Sequence, residues 1–287
     1  YILFFTNMGR VHRRKGYQIP EGGRVAKGTN IVNILPLEAG EKVTAGLTVR
    51  EFDEDNLLFV TRQGTVKRVT LESLNTARKA GIRALTLADG DELIAVMKTN
   101  GEQNILLATA DGMAICFSEN DVRVMGRDAA GVRGIALSDG DYVVGAGIAE
   151  EGKQLLTVTE LGYGKRTEIA EYMRLGENGQ RSPQLRGGKG LKNYNLTAKT
   201  GRVAGVAVVG EDDDVMLIES GGVLIRMAAS DINIYKRDTQ GVILMRLEEG
   251  SRVISLEPVA REDSAEDTAE ASPDEAPAEA PAETEEP

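Results

Sequence analysis

Gln184–Gly190 reads Q-L-R-G-G-K-G, with the adjacent glycines Gly187 and Gly188 set between Arg186 and Lys189. Glycine carries no Cβ, so this backbone can turn sharply and lie close to a partner. Open N–H groups beside two positive charges suit a phosphate backbone, and equally a plain loop tip. Recurrence favours phosphate. Basic residues gather before a glycine five times: Arg24 and Lys27 before Gly28, Arg78 and Lys79 before Gly81, and Arg123 and Arg127 before Gly131. Arg181, Arg186 and Lys189 precede Gly190, and Lys236 and Arg237 precede Gly241. A second basic set comprises Arg13 and Arg14, Lys67 and Arg68, Lys165 and Arg166, and Arg226. At equivalent points of a repeating fold the first set would line one rim, and part of the second would face solvent and extend it. Such a rim offers many phosphate contacts with little reading of base edges, which is what wrapping a duplex requires.

Other chemistry is thinly represented. One cysteine, Cys116, and one histidine, His12, cannot build the usual zinc site, and both lie in strand-like runs where packing or surface roles suffice. A lone cysteine forms no intrachain disulfide and fits a reducing compartment. Gly162–Thr167, G-Y-G-K-R-T, lacks Walker A spacing and sits in a hairpin. Asp89-Gly90-Asp91 and Asp139-Gly140-Asp141 lack the remaining ligands of a calcium loop and read as turns. The acidic run Glu211–Asp214 reads as a solvated loop. With no nucleophile, general base or metal constellation, the chain reads as non-catalytic by itself, and no apolar run approaches a membrane span.

The elements that must position these residues come from repeats. An apolar run, a glycine turn and a second strand recur around Gly9, Gly64, Gly112, Gly162 and Gly222, spaced 55, 48, 50 and 60 residues apart. Thr6, Thr61, Thr109 and Thr159 stand three residues before the first four glycines, and Glu219 before the fifth. Each unit continues through the second glycine named above into an alternating strand such as Gly81–Leu87, then an acidic turn and an apolar strand such as Glu92–Met97. Consecutive apolar residues, as in Leu57–Val60, fit strands covered on both faces. The spacing predicts an all-β, propeller-like array of four-stranded blades, five repeats in all, at about 1–50, 51–99, 100–149, 150–210 and 211–261.

Charge divides the chain. Residues 262–287 hold 11 of the 45 acidic residues and none of the 34 basic ones, leaving a body with 34 of each sign. This tail, with nothing apolar larger than alanine, is expected to be disordered and to oppose the basic rim. Tyr1 opens the chain inside a strand-like run, so an upstream part is expected to be missing.

The repeats resemble the C-terminal, DNA-wrapping domain of the DNA gyrase A protein. The resemblance spans Tyr1 to about Ala260 and rests on Y-G-K-R-T (163–167), G-V-R-G-I (131–135), T-Q-G-V-I-L (239–244) and I-V-N-I-L-P-L-E (31–38), with the acidic tail as a further likeness. It implies a β-pinwheel of about six blades that bends double-stranded DNA around a basic rim, in the bacterial cytoplasm. It also implies a heterotetramer formed with the rest of the gyrase A protein and with the gyrase B protein. ATP and magnesium are bound, and DNA is cleaved, in those parts and outside this chain. The family's box, Q-R-R-G-G-K-G, is expected in the first blade. Here Gln184–Gly190 lies in the fourth of five repeats, with Leu185 where the box has arginine, so the absent repeat is expected to be the first. Two other readings remain at this point: the related domain of topoisomerase IV, and a propeller that binds something other than DNA.

Overall fold

The computed structural model describes residues 1–22 and 26–261; Arg24 and the tail Glu262–Pro287 lie outside them. One local rule makes the hairpins. The N–H of Gly9 donates to Thr6 O, and the same bond joins Gly64 to Thr61, Gly112 to Thr109 and Gly162 to Thr159. The threonine Oγ1 then accepts the N–H of the residue after the glycine, for example Thr65 N at 3.1 Å. Gly112 shows why the turn needs glycine: its φ is +77°, which a side chain resists. In the fifth repeat Glu219 replaces threonine and its carboxylate does the same work, accepting Val223 N at 3.1 Å.

The first repeat supplies β1 (Ile2–Thr6), β2 (Arg10–Arg14) and β3 (Val43–Thr48). The second supplies β4 (Asn56–Thr61), β5 (Thr65–Thr70), β6 (Ile82–Arg83) and β7 (Leu93–Thr99). The third adds β8 (Asn104–Thr109), β9 (Met113–Ser118), β10 (Val132–Arg133) and β11 (Val143–Ile148). The fourth adds β12 (Gln154–Thr159), β13 (Tyr163–Glu168), a small hairpin β14 (Arg174–Leu175) and β15 (Arg181–Ser182), then β16 (Leu191–Lys192) and β17 (Val203–Val209). The fifth comprises β18 (Asp213–Glu219), β19 (Leu224–Ala228), β20 (Val242–Ile243) and β21 (Val253–Ala260).

Four antiparallel sheets have four strands, in the orders β3-β1-β2-β6, β7-β4-β5-β10, β11-β8-β9-β16 and β17-β12-β13-β20. Each therefore borrows its outermost strand from the following repeat, which the linear pattern of four strands per repeat does not reveal. The fifth sheet has three strands, β21-β18-β19. The borrowed strands are two residues long rather than the alternating run expected for Gly81–Leu87. Their length is cut by a bend: Ala84 N and Leu85 N both donate to Gly9 O, drawing the chain off the sheet edge. Gly64, Gly112 and Gly162 carbonyls capture the next repeats in the same way.

The core lies between blades. Leu3 and Phe5 of the first pack with Leu57 and Phe59 of the second, and the Phe5 and Phe59 rings meet edge to face at 5.6 Å. With both faces covered, Leu57, Leu58, Phe59 and Val60 are all fully buried, which accounts for the unbroken apolar run. The inner strands pack in succession, β3 on β7, β7 on β11, β11 on β17 and β17 on β21, around an axial channel. No comparable packing joins β21 back to β3 among the described residues.

Candidate nucleic-acid interface

Inner strands at the axis leave the borrowed strands β6, β10, β16 and β20 at the circumference, together with the loops that lead into them. Those loops carry the first basic set. Lys27, Arg78, Lys79, Arg123, Arg181, Lys189 and Lys236 are exposed, and Arg127, Arg186 and Arg237 are half-buried. Most of the exposed group has no ion-pair partner among the described residues. Arg181 is the exception, 3.7 Å from Glu171 and hydrogen-bonded to Ala170 O. Arg24 falls outside the described residues.

The second basic set requires correction. Lys67, Arg68, Lys165 and Arg166 are buried, with exposures of 0%, 8%, 0% and 3%, so they do not extend the rim. The cause is the segment of the next repeat that leads into the borrowed strand: it lies across these side chains, with Arg127 O over Lys67, Glu119 against Arg68, Lys236 O over Lys165 and Ile232 O against Arg166. Arg68 donates to Glu119 Oε2 at 3.1 Å, and Arg166 to Ile232 O at 2.7 Å and to Glu211 Oε1 at 2.7 Å. Arg13 lies over the Tyr1 ring at 4.5 Å and donates to Asn75. Arg14 donates to the Ile34 and Lys79 carbonyls. Arg226 is exposed but paired with Asp214 at 2.8 Å. Apart from Arg226, whose partner lies in its own blade, the second set makes contacts with a neighbouring repeat or with the loops between strands.

The box-like stretch is also a joint. Gln184 N donates to Cys116 O at 2.7 Å, its side-chain amide to Tyr172 O at 2.9 Å, and Gly187 N to Gly134 O at 2.8 Å. Gly188 O accepts Ala136 N at 2.9 Å, and Arg186 donates to the carbonyls of Asp121 and Arg133. Two of its N–H groups and one guanidinium are thereby occupied within the protein. Leu185, 68% exposed, Gly188 and Lys189 are what it shows to solvent.

Three further cations stand in the right place. Arg83, Arg133 and Lys192 are exposed on β6, β10 and β16, the outermost strands themselves. Each follows its second glycine by two residues, a regularity visible in the sequence; Ile243 holds that position in the fourth blade.

The remaining polar motifs have structural partners. Asp91 Oδ1 accepts Gln63 N and Glu92 N, each at 2.9 Å, and Asp141 does the same for Asp111 N and Tyr142 N. Burial pushes the Cys116 thiol up to about 12, so it stays protonated at neutral pH. His12 is buried 3.6 Å from Glu41, and burial holds its pKa below the ordinary value.

The fold matches two solved C-terminal domains. The C-terminal domain of DNA topoisomerase IV superposes with a TM-score of 0.81 at 27% identity, covering 90% of this chain and 79% of that one. The DNA gyrase A C-terminal domain superposes with a TM-score of 0.75 at 25% identity, covering 90% and 82%. The chain belongs to the DNA gyrase C-terminal domain, beta-propeller, family, whose model matches residues 1–50, 55–100, 103–150, 153–180, 182–210 and 213–260. It is 45% identical over 263 residues to the DNA gyrase A protein of Lawsonia intracellularis and 43% identical over 268 residues to that of Escherichia coli K12. These alignments cover 90% and 92% of this chain but 31% and 30% of the relatives, so the chain spans about a third of their length.

Proposed function

We propose that this chain binds and bends duplex DNA around its circumference as the C-terminal part of a gyrase A protein. The observation that carries this reading is the series of exposed cations on the outermost strands and their approach loops. Arg83, Arg133 and Lys192 repeat from blade to blade, with Arg78, Lys79, Arg123, Lys189 and Lys236 beside them. Evenly repeated cations match a phosphate backbone and carry no base sequence. The rest of the gyrase A protein, together with the gyrase B protein, would complete a heterotetramer in the bacterial cytoplasm. ATP, magnesium and the strand-cleaving group belong to those other parts, and this chain's contribution is to hold a curved duplex in place. No helix among the described residues is long and apolar enough to cross a membrane.

Affinity for a random-sequence duplex, measured against salt, tests the reading. Each phosphate contact steepens the log–log dependence by about 0.9, so a rim of this size gives a slope of several units. A flat response would remove DNA wrapping and leave a propeller with another partner. Deleting Glu262–Pro287, which carries 11 carboxylates and no cation, is expected to tighten binding at low salt. The higher TM-score against topoisomerase IV supports a second reading, bending without supercoiling. The complete enzyme with ATP separates the two: gyrase supercoils relaxed plasmid, and relaxation alone would reject that assignment.

A further inference from the structure

Two interior lysines hold the loops that carry rim cations. Lys67 on β5 and Lys165 on β13 stand three residues after Gly64 and Gly162, and neither has measurable exposure. Each ammonium group donates to main-chain oxygens of the next repeat, and that of Lys67 also to one in its own repeat, Ala84 O. Lys67 Nζ reaches Ala84 O at 2.9 Å and Arg127 O. Lys165 Nζ reaches Lys236 O at 2.6 Å, Arg237 O, and Thr239 Oγ1 at 3.2 Å, three acceptors for three protons.

Stability alone does not call for lysine here. Blades 3 and 5 fill the same position with Ile115 and Ile225, and Ile115 is buried in the apolar core. Burying an ammonium costs a desolvation that isoleucine avoids. Lysine instead accompanies one kind of loop. The loops received by blades 2 and 4 read R-D-A-A-G (127–131) and R-D-T-Q-G (237–241), whereas the loop received by Ile115 reads R-G-G-K-G (186–190). Asp128 and Asp238 partly offset the buried charge through space. The lysine and the Arg-Asp pair occur together in blades 2 and 4 and are both missing from blades 1 and 3, where His12 and Ile115 hold the position.

We propose that Lys67 and Lys165 are positioning residues for DNA, each fixing the backbone of the next repeat's loop so that its cations meet the duplex at a set height. Arg127 on one blade and Lys236 on another are the side chains so placed, whereas Arg237 is occupied by Lys192 O at 3.0 Å. Each loop is otherwise paired to its blade by a bridge at its start, Val124 to Arg68 or Ile234 to Arg166, and by a two-residue strand at its end, β10 or β20, which leaves the backbone between them to be ordered by other contacts. The inference rests on the DNA-bending reading above.

The test uses the whole chain with Lys67→Met, Lys165→Met and the double variant, plus Thr239→Ala, which removes one acceptor of Lys165 together with the hydroxyl's own bond to Lys236 O. Two quantities are read: amide exchange in residues 123–131 and 236–241, and the end-to-end distance of a doubly labelled short duplex at saturating protein. The expected result is roughly tenfold faster exchange confined to the loop whose lysine is lost, with strand amides unchanged, and a longer end-to-end distance on saturated DNA. Thr239→Ala shifts both in the same direction by less. Folded variants with unchanged loop exchange and unchanged bend overturn the proposal. If the wild type shows no salt-dependent DNA binding, the bending reading fails by itself, while loop exchange still decides whether the lysines hold the loops.

Discussion

Blades 2 and 4 and blade 3 solve the same joint from opposite sides. In blades 2 and 4 the strand reaches out, with Lys67 and Lys165 donating to the incoming loop at Arg127 O and Lys236 O. In blade 3 the strand offers Ile115 and Cys116, and the loop reaches in with Arg186, donating to Asp121 O at 3.1 Å and to Arg133 O. Where the donor sits decides what is left for a ligand. Beside the interior lysines, Lys236 stays exposed and Arg127 makes no side-chain hydrogen bond among the described residues, whereas Arg186 is occupied by the joint, as Arg237 is by Lys192 O. The stretch with the strongest phosphate-binding look therefore presents one open cation, Lys189.

The comparison breaks most visibly if the two solutions are forced into one blade. Ile115→Lys would bury an ammonium in a joint where Arg186 already occupies the Asp121 and Arg133 carbonyls, and an uncompensated buried charge costs about 3–5 kcal/mol. Urea unfolding should show that loss, and adding Arg186→Met should recover part of it by freeing two acceptors. No recovery would mean that the joints are not interchangeable.

Next in size is the glycine the blade 3 joint depends on. A Cβ on Gly190 would lie 2.3 Å from Ala114 O, at a φ of +76°. Gly190→Ala is expected to cost about 3 kcal/mol through strain and displacement. Gly188→Ala meets nothing closer than 3.8 Å and should stay within about 0.5 kcal/mol. A phosphate cradle built on the glycine pair predicts the reverse ranking for DNA affinity, with Gly188 the sensitive position.

Proton linkage sharpens the contrast in a third way. Burial pushes Lys165 down to about 7 and Lys67 to about 8, against an ordinary value of 10.5. Asp238, Arg237 and the Tyr194 ring face the first, and Asp128 and Arg127 face the second. Between these values and 10.5 the unfolded chain binds more protons than the folded one, so stability contributed by this pair rises with pH across that window. Each lysine adds at most about 1.4 kcal/mol per pH unit. Denaturation midpoints from about pH 7 to 9 should climb more in the wild type than in the double Lys→Met variant. Loop order should move the opposite way, loosening as the ammonium groups lose their protons.

Much of this fold was legible because its rules are local. The Thr-x-x-Gly turn repeats, and unbroken apolar runs mark strands covered on both faces. The strand exchange was not legible, since nothing local says which blade a segment caps. That hidden topology also concealed the fate of Lys67, Arg68, Lys165 and Arg166. Read alone, T-V-K-R-V-T at 65–70 looks like a strand with a charged outer face. Aligned with M-A-I-C-F-S at 113–118 it carries a warning, because the third repeat puts isoleucine and cysteine at the same two positions. The cations two residues after the second glycine, Arg83, Arg133 and Lys192, carried a signal of equal regularity from the outer strand.

The smallest expected effect separates a ligand contact from a joint within a single loop. Lys189 is exposed and Arg186 is half-buried against two carbonyls, three residues apart in sequence. Lys189→Ala removes a surface charge and nothing else, so it should lower the salt dependence of DNA binding by about one contact while leaving unfolding unchanged. Arg186→Met removes two hydrogen bonds from the joint and should cost about 1–2 kcal/mol of stability with the salt slope nearly intact. Equal loss of slope in both would return Arg186 to the phosphate-binding set and make blade 3 a second kind of contact surface. A slope change confined to Lys189 keeps the two roles apart, and with them the distinction between loops that the strand holds and a loop that holds itself.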